Sequence, residues 1–198
     1  MTLRINEINN VNELTMSVHL TFERTSDTML KRVVSQLSGP YVHTEMVVTS
    51  THEEPPYIRR KSYSAYIDYV FFGSDERSFR FSDTTHDFLQ INASPKEIFL
   101  IKQTCDAHVE VKTPYNLKDM VLSILPGRNP TEIPISDAKT LFCSQAMVLI
   151  LRSCLEKEHP VVKALEHTNS RTVSPTQLSQ ILKPVCQPAL AKHIMRCT

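Results

Sequence analysis

The stretch LFCSQAMVLILR, residues 141–152, constrains the fold more than any other part of the chain. From Ala146 to Leu151 no polar side chain interrupts it. A helix that is apolar all round has no face for water and must lie inside the molecule. Cys143 stands in its first turn. Thr140 is the expected N-cap, its hydroxyl accepting from a free backbone N–H, which sets Cys143 about three residues in. Unpaired N–H groups and the helix dipole favour negative charge at that end, so a thiolate is stabilised there. Two readings of Cys143 follow. One is a nucleophile opening a buried helix. The other is a small buried thiol, since free cysteine is among the most buried residue types.

At 198 residues, 41% of them hydrophobic, the chain is expected to form one domain with a proper core around that helix. A net charge of +1 offers no basic surface to nucleic acid or an anionic membrane. Three glycines and no G-x-x-x-x-G-K exclude a glycine-rich phosphate loop, and no cofactor is expected. No apolar run reaches the roughly 18 residues of a membrane span. Residues 1–10 lack the apolar centre of a secretory signal. Five cysteines (Cys105, Cys143, Cys154, Cys186, Cys197) at irregular spacing then point to reduced thiols in a cytoplasmic setting.

Residues 1–13 read as a loose lead-in, and 184–198 as a C-terminal tail. MSVHLTFE, residues 16–23, alternates apolar and polar as a half-buried strand does. Ser26 and Asp27 offer caps for a helix carrying Met29, Leu30, Val33, Val34 and Leu37, stopped at Gly39-Pro40. YVHTEMVV, residues 41–48, is β-branched and apolar and predicts a strand, with His43 and Glu45 on one face. Residues 63–72 (YSAYIDYVFF) predict one long strand containing Asp68, turned at Gly73-Ser74 into a further strand over 78–82. Residues 83–96 read as irregular, and 98–101 as either strand or helix. Cys105 and His108 have loose metal-ligand spacing with no second pair at a zinc interval, so no zinc site is expected. Residues 113–116 cap a helix with Leu117, Met120, Val121, Ile124 and Leu125 on its apolar side. A proline-containing loop over 128–137 then leads into the Cys143 helix as one wall of a cleft, and the helix itself runs to about residue 156. Residues 161–165 form a short helix. Ser174-Pro175-Thr176-Gln177 is a capping box with proline at N1, and a last short helix is expected over 189–196. Cys186, His193 and Cys197 read as a soft tail rather than a metal site.

Taken in order, YVHTEMVV, LFCSQAMVLILR and NSRTVSPTQL resemble the circularly permuted NlpC-type branch of the papain-like superfamily, in which the histidine strand precedes the cysteine helix. The last is similar to an N-S-R-x-x-S-P-x-x-L segment that follows the cysteine helix in permuted members. YIDYVFFGSDERSFRF is compared less specifically. Permuted members from large DNA viruses are the first relatives to compare. The resemblance covers residues 14–183 and implies an α+β fold, an antiparallel sheet packed against a buried cysteine-bearing helix. It implies Cys143 as nucleophile and His43 as its base, and a third group orienting the imidazole. Glu45 fits the H-x-E pattern, but sits roughly 6.5–7 Å along the strand from His43. Asp68, on the neighbouring strand, is the alternative. The Cys143 N–H is a candidate oxyanion donor.

The implied activity is that of a cysteine hydrolase or acyltransferase cutting an amide, ester or thioester through a thioester. Its substrate is a peptide, protein or lipid, and its compartment the host cytoplasm or a virion. Permuted deubiquitinating or deSUMOylating isopeptidases are a rival, although they carry asparagine beside the cysteine where this chain has Phe142 and Ser144. An inactive scaffold that binds protein partners is the other.

Overall fold

The structure, a computed structural model, describes residues 16–24, 35–36, 39–51, 58–66, 71–75, 81–123 and 130–191. The chain folds as α+β. Among the described residues six strands form one sheet: β1 (Met16–Glu23), β2 (His43–Thr51), β3 (Ile58–Tyr66), β4 (Phe71–Asp75), β5 (His86–Ile91) and β6 (Gln187–Ala189). Their order is β4-β3-β2-β1-β5-β6 and every neighbouring pair is antiparallel. The helices are α1 (Pro95–Glu110), α2 (Leu117–Ser123), α3 (Cys143–Cys154), α4 (Pro160–Leu165) and α5 (Pro175–Leu182), with a 3-10 turn at Ile135–Asp137.

Strand alternation decides what lies on each face of the sheet. Val18, Leu20 and Phe22 of β1 stand opposite Val48, Met46 and Thr44 of β2. These five apolar side chains belong to the same core cluster as Met147, Ile150 and Leu151 of α3. The α3 helix packs on β2 and β3 and is flanked by α1, α4 and α5. Residues 141–151 are buried throughout, as an all-apolar helix requires. Removing each such Leu, Ile or Met side chain from water contributes about 1.5–3 kcal/mol. On the opposite face Val47 joins Phe81, Phe88, Ala189 and Ala191 in a second, smaller cluster.

Several sequence expectations need correction. The run 63–72 is not one strand: β3 ends at Tyr66 and β4 begins at Phe71, pairing back on β3 through Tyr66 and Phe71. Gly73 and Ser74 therefore lie inside β4, paired with Ser64 and Tyr63. Residues 86–91, read as irregular, form β5 against β1. The run at 98–101, open between strand and helix, lies in one helix, α1, which continues through Cys105 and His108 to its C-cap Val111. On α2 Met120 is buried, but Leu117 and Val121 are 51% and 44% exposed. Within the supposed tail, β6 pairs with β5. The helix expected over 26–37 lies almost wholly outside the described residues. So do Asp68, the 1–13 lead-in, most of the 78–82 strand and most of the 189–196 helix.

The α1 helix starts in a full capping box. The Glu97 N–H donates to Ser94 Oγ at 3.3 Å, and Glu97 Oε2 accepts from the Ser94 N–H at 2.8 Å. Glu97 Oε1 also accepts from the Glu156 N–H at 2.9 Å, which ties the turn after α3 to α1. Burial raises the Glu97 carboxyl, but the Glu156 and Ser94 donors outweigh it and hold it below its ordinary value. Asp106 is likewise lowered, burial being outweighed by Lys102, Lys61 and Tyr63. A carboxyl depressed in the folded state contributes stability that is whole above its unfolded value, about 4. That contribution is lost as pH falls through the folded value. The urea midpoint is therefore expected to hold between pH 7 and pH 5 and to drop below about pH 4. Glu97→Gln should flatten that drop.

Candidate functional site

The Cys143 helix begins later than its sequence suggests. Phe142, not Thr140, is the N-cap, with extended backbone (φ −114°, ψ 168°), and Cys143 is the first helical residue. The cause lies just upstream. The Leu141 N–H donates to Pro114 O at 2.9 Å, and the Asn116 N–H donates to Leu141 O at 2.8 Å. This strand-like pairing holds Leu141 extended, so helical turns start only after Phe142. The Phe142 N–H donates to Gln145 Oε1 at 3.4 Å, the single side-chain contribution to this cap.

Tyr115 forms a parallel bridge with Leu141. Across the extended Phe142, residues 141 and 143 leave the backbone on the same side, so Tyr115 lies on the side of Cys143. Burial, and then charge on Cys143, holds the Tyr115 phenol far above its ordinary value. Two successive single bridges thus run from the sheet to the thiol. Phe71 of β4 bridges Pro114, with the Phe72 N–H donating to Thr113 O at 2.7 Å, and Tyr115 bridges Leu141.

The sulfur meets β2 where β2 and β3 separate. Their pairing ends at Met46 and Tyr63. Beyond it, Thr44 O accepts from Ser64 Oγ at 2.8 Å, while the Thr44 N–H lies on the side of Cys143 and acts to lower its thiol. Cys143 therefore occupies a place that a third strand residue would fill. It is only 3% exposed. Burial pushes its thiol up to about 11, against the N–H groups of Thr44, Ser144 and Cys143 itself. The helix start works in the expected direction, but desolvation is larger.

His43 is the first residue of β2, adjacent in the chain to Thr44. Alternation sends Thr44, Met46 and Val48 to the face under α3, and His43, Glu45 and Val47 to the other. The structure thus brings the backbone at His43–Thr44 to the sulfur. To reach that sulfur the imidazole has to turn round the end of β2. His43 and Glu45 are both half-buried and share their face. The residue directly across from His43 is Glu23 of β1, which also stands across from His86 of β5. Directly opposed residues have Cβ atoms about 4.5–5.5 Å apart, closer than a residue two along the same strand. Asp68 lies outside the described residues. Tyr115, Thr44 and Glu23 escaped the sequence reading because only pairing between distant segments places them here.

Among the described residues no group of three His, Cys, Asp or Glu is arranged to hold a metal. Cys105 is fully buried in the core, and His108 Nδ1 pairs with Thr113 Oγ1 at 2.8 Å. Cys186 is buried, while His193 and Cys197 lie outside the described residues. Among the described residues no helix is long and apolar enough to cross a membrane.

Compared with family models, curated proteins and solved structures, the chain matches none of them.

A thiol near 11 carries about 300-fold less thiolate at pH 7 than a free cysteine of about 8.5. Iodoacetamide should therefore label Cys143 slowly at pH 7 in the resting protein, at a rate still rising with pH at pH 10. Rapid labelling at pH 6 would show instead a preformed thiolate.

Proposed function

We propose that the chain is a cysteine-dependent hydrolase or acyltransferase of the permuted papain-like type, with Cys143 as nucleophile and His43 as base. The observation that carries this reading is the packing of the Cys143 helix on β2, with the Thr44 N–H, next to His43, acting on the Cys143 thiol at the helix start. The Cys143 N–H at the helix start and the Tyr115 hydroxyl on the same side are the candidate oxyanion donors. The raised thiol favours proton transfer during attack over a resting ion pair. The sulfur forms a bond to the carbonyl carbon as its proton passes to the imidazole. The C–N, C–O or C–S bond then breaks, and the leaving group takes that proton. Water, or another acceptor, attacks the thioester, gives its proton to the imidazole and releases the acyl group. The thiolate then recovers that proton.

The test uses p-nitrophenyl acetate as an activated acyl donor. A rapid acid quench followed by peptide mapping should find one acetyl group on Cys143, formed far more slowly in His43→Ala at neutral pH. No acetyl group at Cys143 under any condition would end the hydrolase reading. The scaffold reading is favoured by a different observation, the 3% exposure of Cys143. Under it, Cys143 is a plug that satisfies Thr44, and Cys143→Ala lowers stability without any loss of chemistry.

A further inference from the structure

We propose that the segment 169–177 is a brace that sets the distance between the cysteine helix and the histidine strand, and that Thr176 is its positioning residue on the strand side. This rests on the reading of Cys143 and His43 as the reacting pair.

The segment touches each wall of the candidate site through a separate polar contact. The Ser170 N–H donates to Glu132 Oε2 at 2.9 Å, holding the loop before α3. The Arg171 guanidinium donates to both Asp119 oxygens, at 2.7 and 3.2 Å, holding α2 just after Tyr115. Val173 O accepts from Ser144 Oγ at 2.6 Å, in the first turn of α3 beside Cys143. Thr176 Oγ1 accepts from the Tyr41 N–H at 3.1 Å, two residues before His43. No member of this set is in the reacting pair. The segment thus joins residues of the 119–144 stretch to Tyr41, far away in the chain.

The strand side of the brace is closely fitted. Gly39 has φ +97°, in the left-handed region that favours glycine. A Cβ there would come 2.7 Å from Thr176 Cγ2. The threonine can approach the lead-in to β2 only because residue 39 has no side chain. Tyr41 is held at its other end as well. Its hydroxyl donates to Asp87 Oδ2 and accepts from Lys183 Nζ at 3.2 Å. The lead-in to β2 is thus clamped between α5 and β5. Val173, which accepts from Ser144, and Thr176 flank the N-cap Ser174 in a capping box whose Gln177 N–H donates to Ser174 Oγ at 3.2 Å. One rigid helix start therefore relates the thiol to the imidazole strand.

What the brace protects is the approach of β2 at Thr44 to the start of the Cys143 helix, so exchange of the Thr44 amide reports on it. In Thr176→Val the Tyr41 N–H loses its acceptor, and Thr44 should exchange about tenfold faster or more, the effect of one lost buried hydrogen bond on a local opening. Thr176→Ser keeps the hydroxyl and should restore wild-type exchange. Acetylation of Cys143 by p-nitrophenyl acetate should fall and recover in the same two variants. If Thr176→Val does not fold, Ser144→Ala removes the helix-side contact and should speed Thr44 exchange alike. Wild-type exchange at Thr44 in whichever of these variants folds would overturn the brace. A wild-type chain that is never acetylated removes the hydrolase reading instead, and the exchange result still judges the brace.

Discussion

His43→Ala is expected to lower acetylation of Cys143 by p-nitrophenyl acetate by about 10²–10⁴-fold, the usual contribution of a positioned general base. The size follows from the state of the thiol. Burial holds Cys143 near 11, so at neutral pH almost every encounter begins from S–H, and attack waits on removal of that proton. A protein that relied on a standing thiolate would lose less, because part of its nucleophile would already be charged. The loss should shrink as pH rises towards 11, where hydroxide performs the base's work. The third residue is separated by the same assay. Glu23 stands directly across from His43, whereas Glu45 lies two residues along. Glu23→Gln should therefore slow acetylation more than Glu45→Gln. Asp68→Asn belongs in the same series. Equal rates for His43→Ala and wild type across pH 6 to 9 would leave Cys143 without a base.

The largest effect on stability is expected from Ile150→Ala. Ile150 is fully buried in the middle of α3. Strands β2 and β3 and helices α1, α4 and α5 surround that helix. A cavity enclosed on so many sides cannot collapse from any one of them. The expected loss is about 3–4 kcal/mol, near the middle of the range for removing three buried carbons. For a chain of this length that lowers the thermal midpoint by about 6–16 °C. Leu117→Ala on α2 is the comparison: at 51% exposure it should change stability by no more than about 0.5 kcal/mol. Circular dichroism melts of both variants decide the matter. A loss under about 1 kcal/mol for Ile150→Ala would mean that α3 is not the centre of the core.

What was legible in the chain was what neighbouring residues decide. Alternation marked β1 at residues 16–23, and the Ser174–Gln177 capping box marked the start of α5. The apolar run after Cys143 showed that its helix is buried. What stayed hidden depends on partners far away in the chain. β5 carries His86, Asp87 and Gln90 and looks like a loop until β1 pairs with it. β3 and β4 read as one strand because apolar residues run on through the connection between them. The N-cap at Phe142 could not be read from Thr140, because it is set by Pro114 and Asn116. The proposed site divides in the same way. Cys143 and His43 are singled out by residue type and order, while Tyr115, Glu23 and the Thr44 amide enter the proposal only through pairing.

The two bridges that lead from β4 to Leu141 are made by main-chain atoms. Substitution and insertion therefore differ sharply in consequence there. Pro114 has an exposed side chain and contributes a carbonyl, which most amino acids can supply equally well. Changing the number of residues between Phe71 and Leu141 at that point is another matter. One residue added between Thr113 and Asn116 would shift the register of both bridges and move the start of the cysteine helix along with them. Related chains should accordingly drift in composition at position 114 while keeping the length of 113–116 constant.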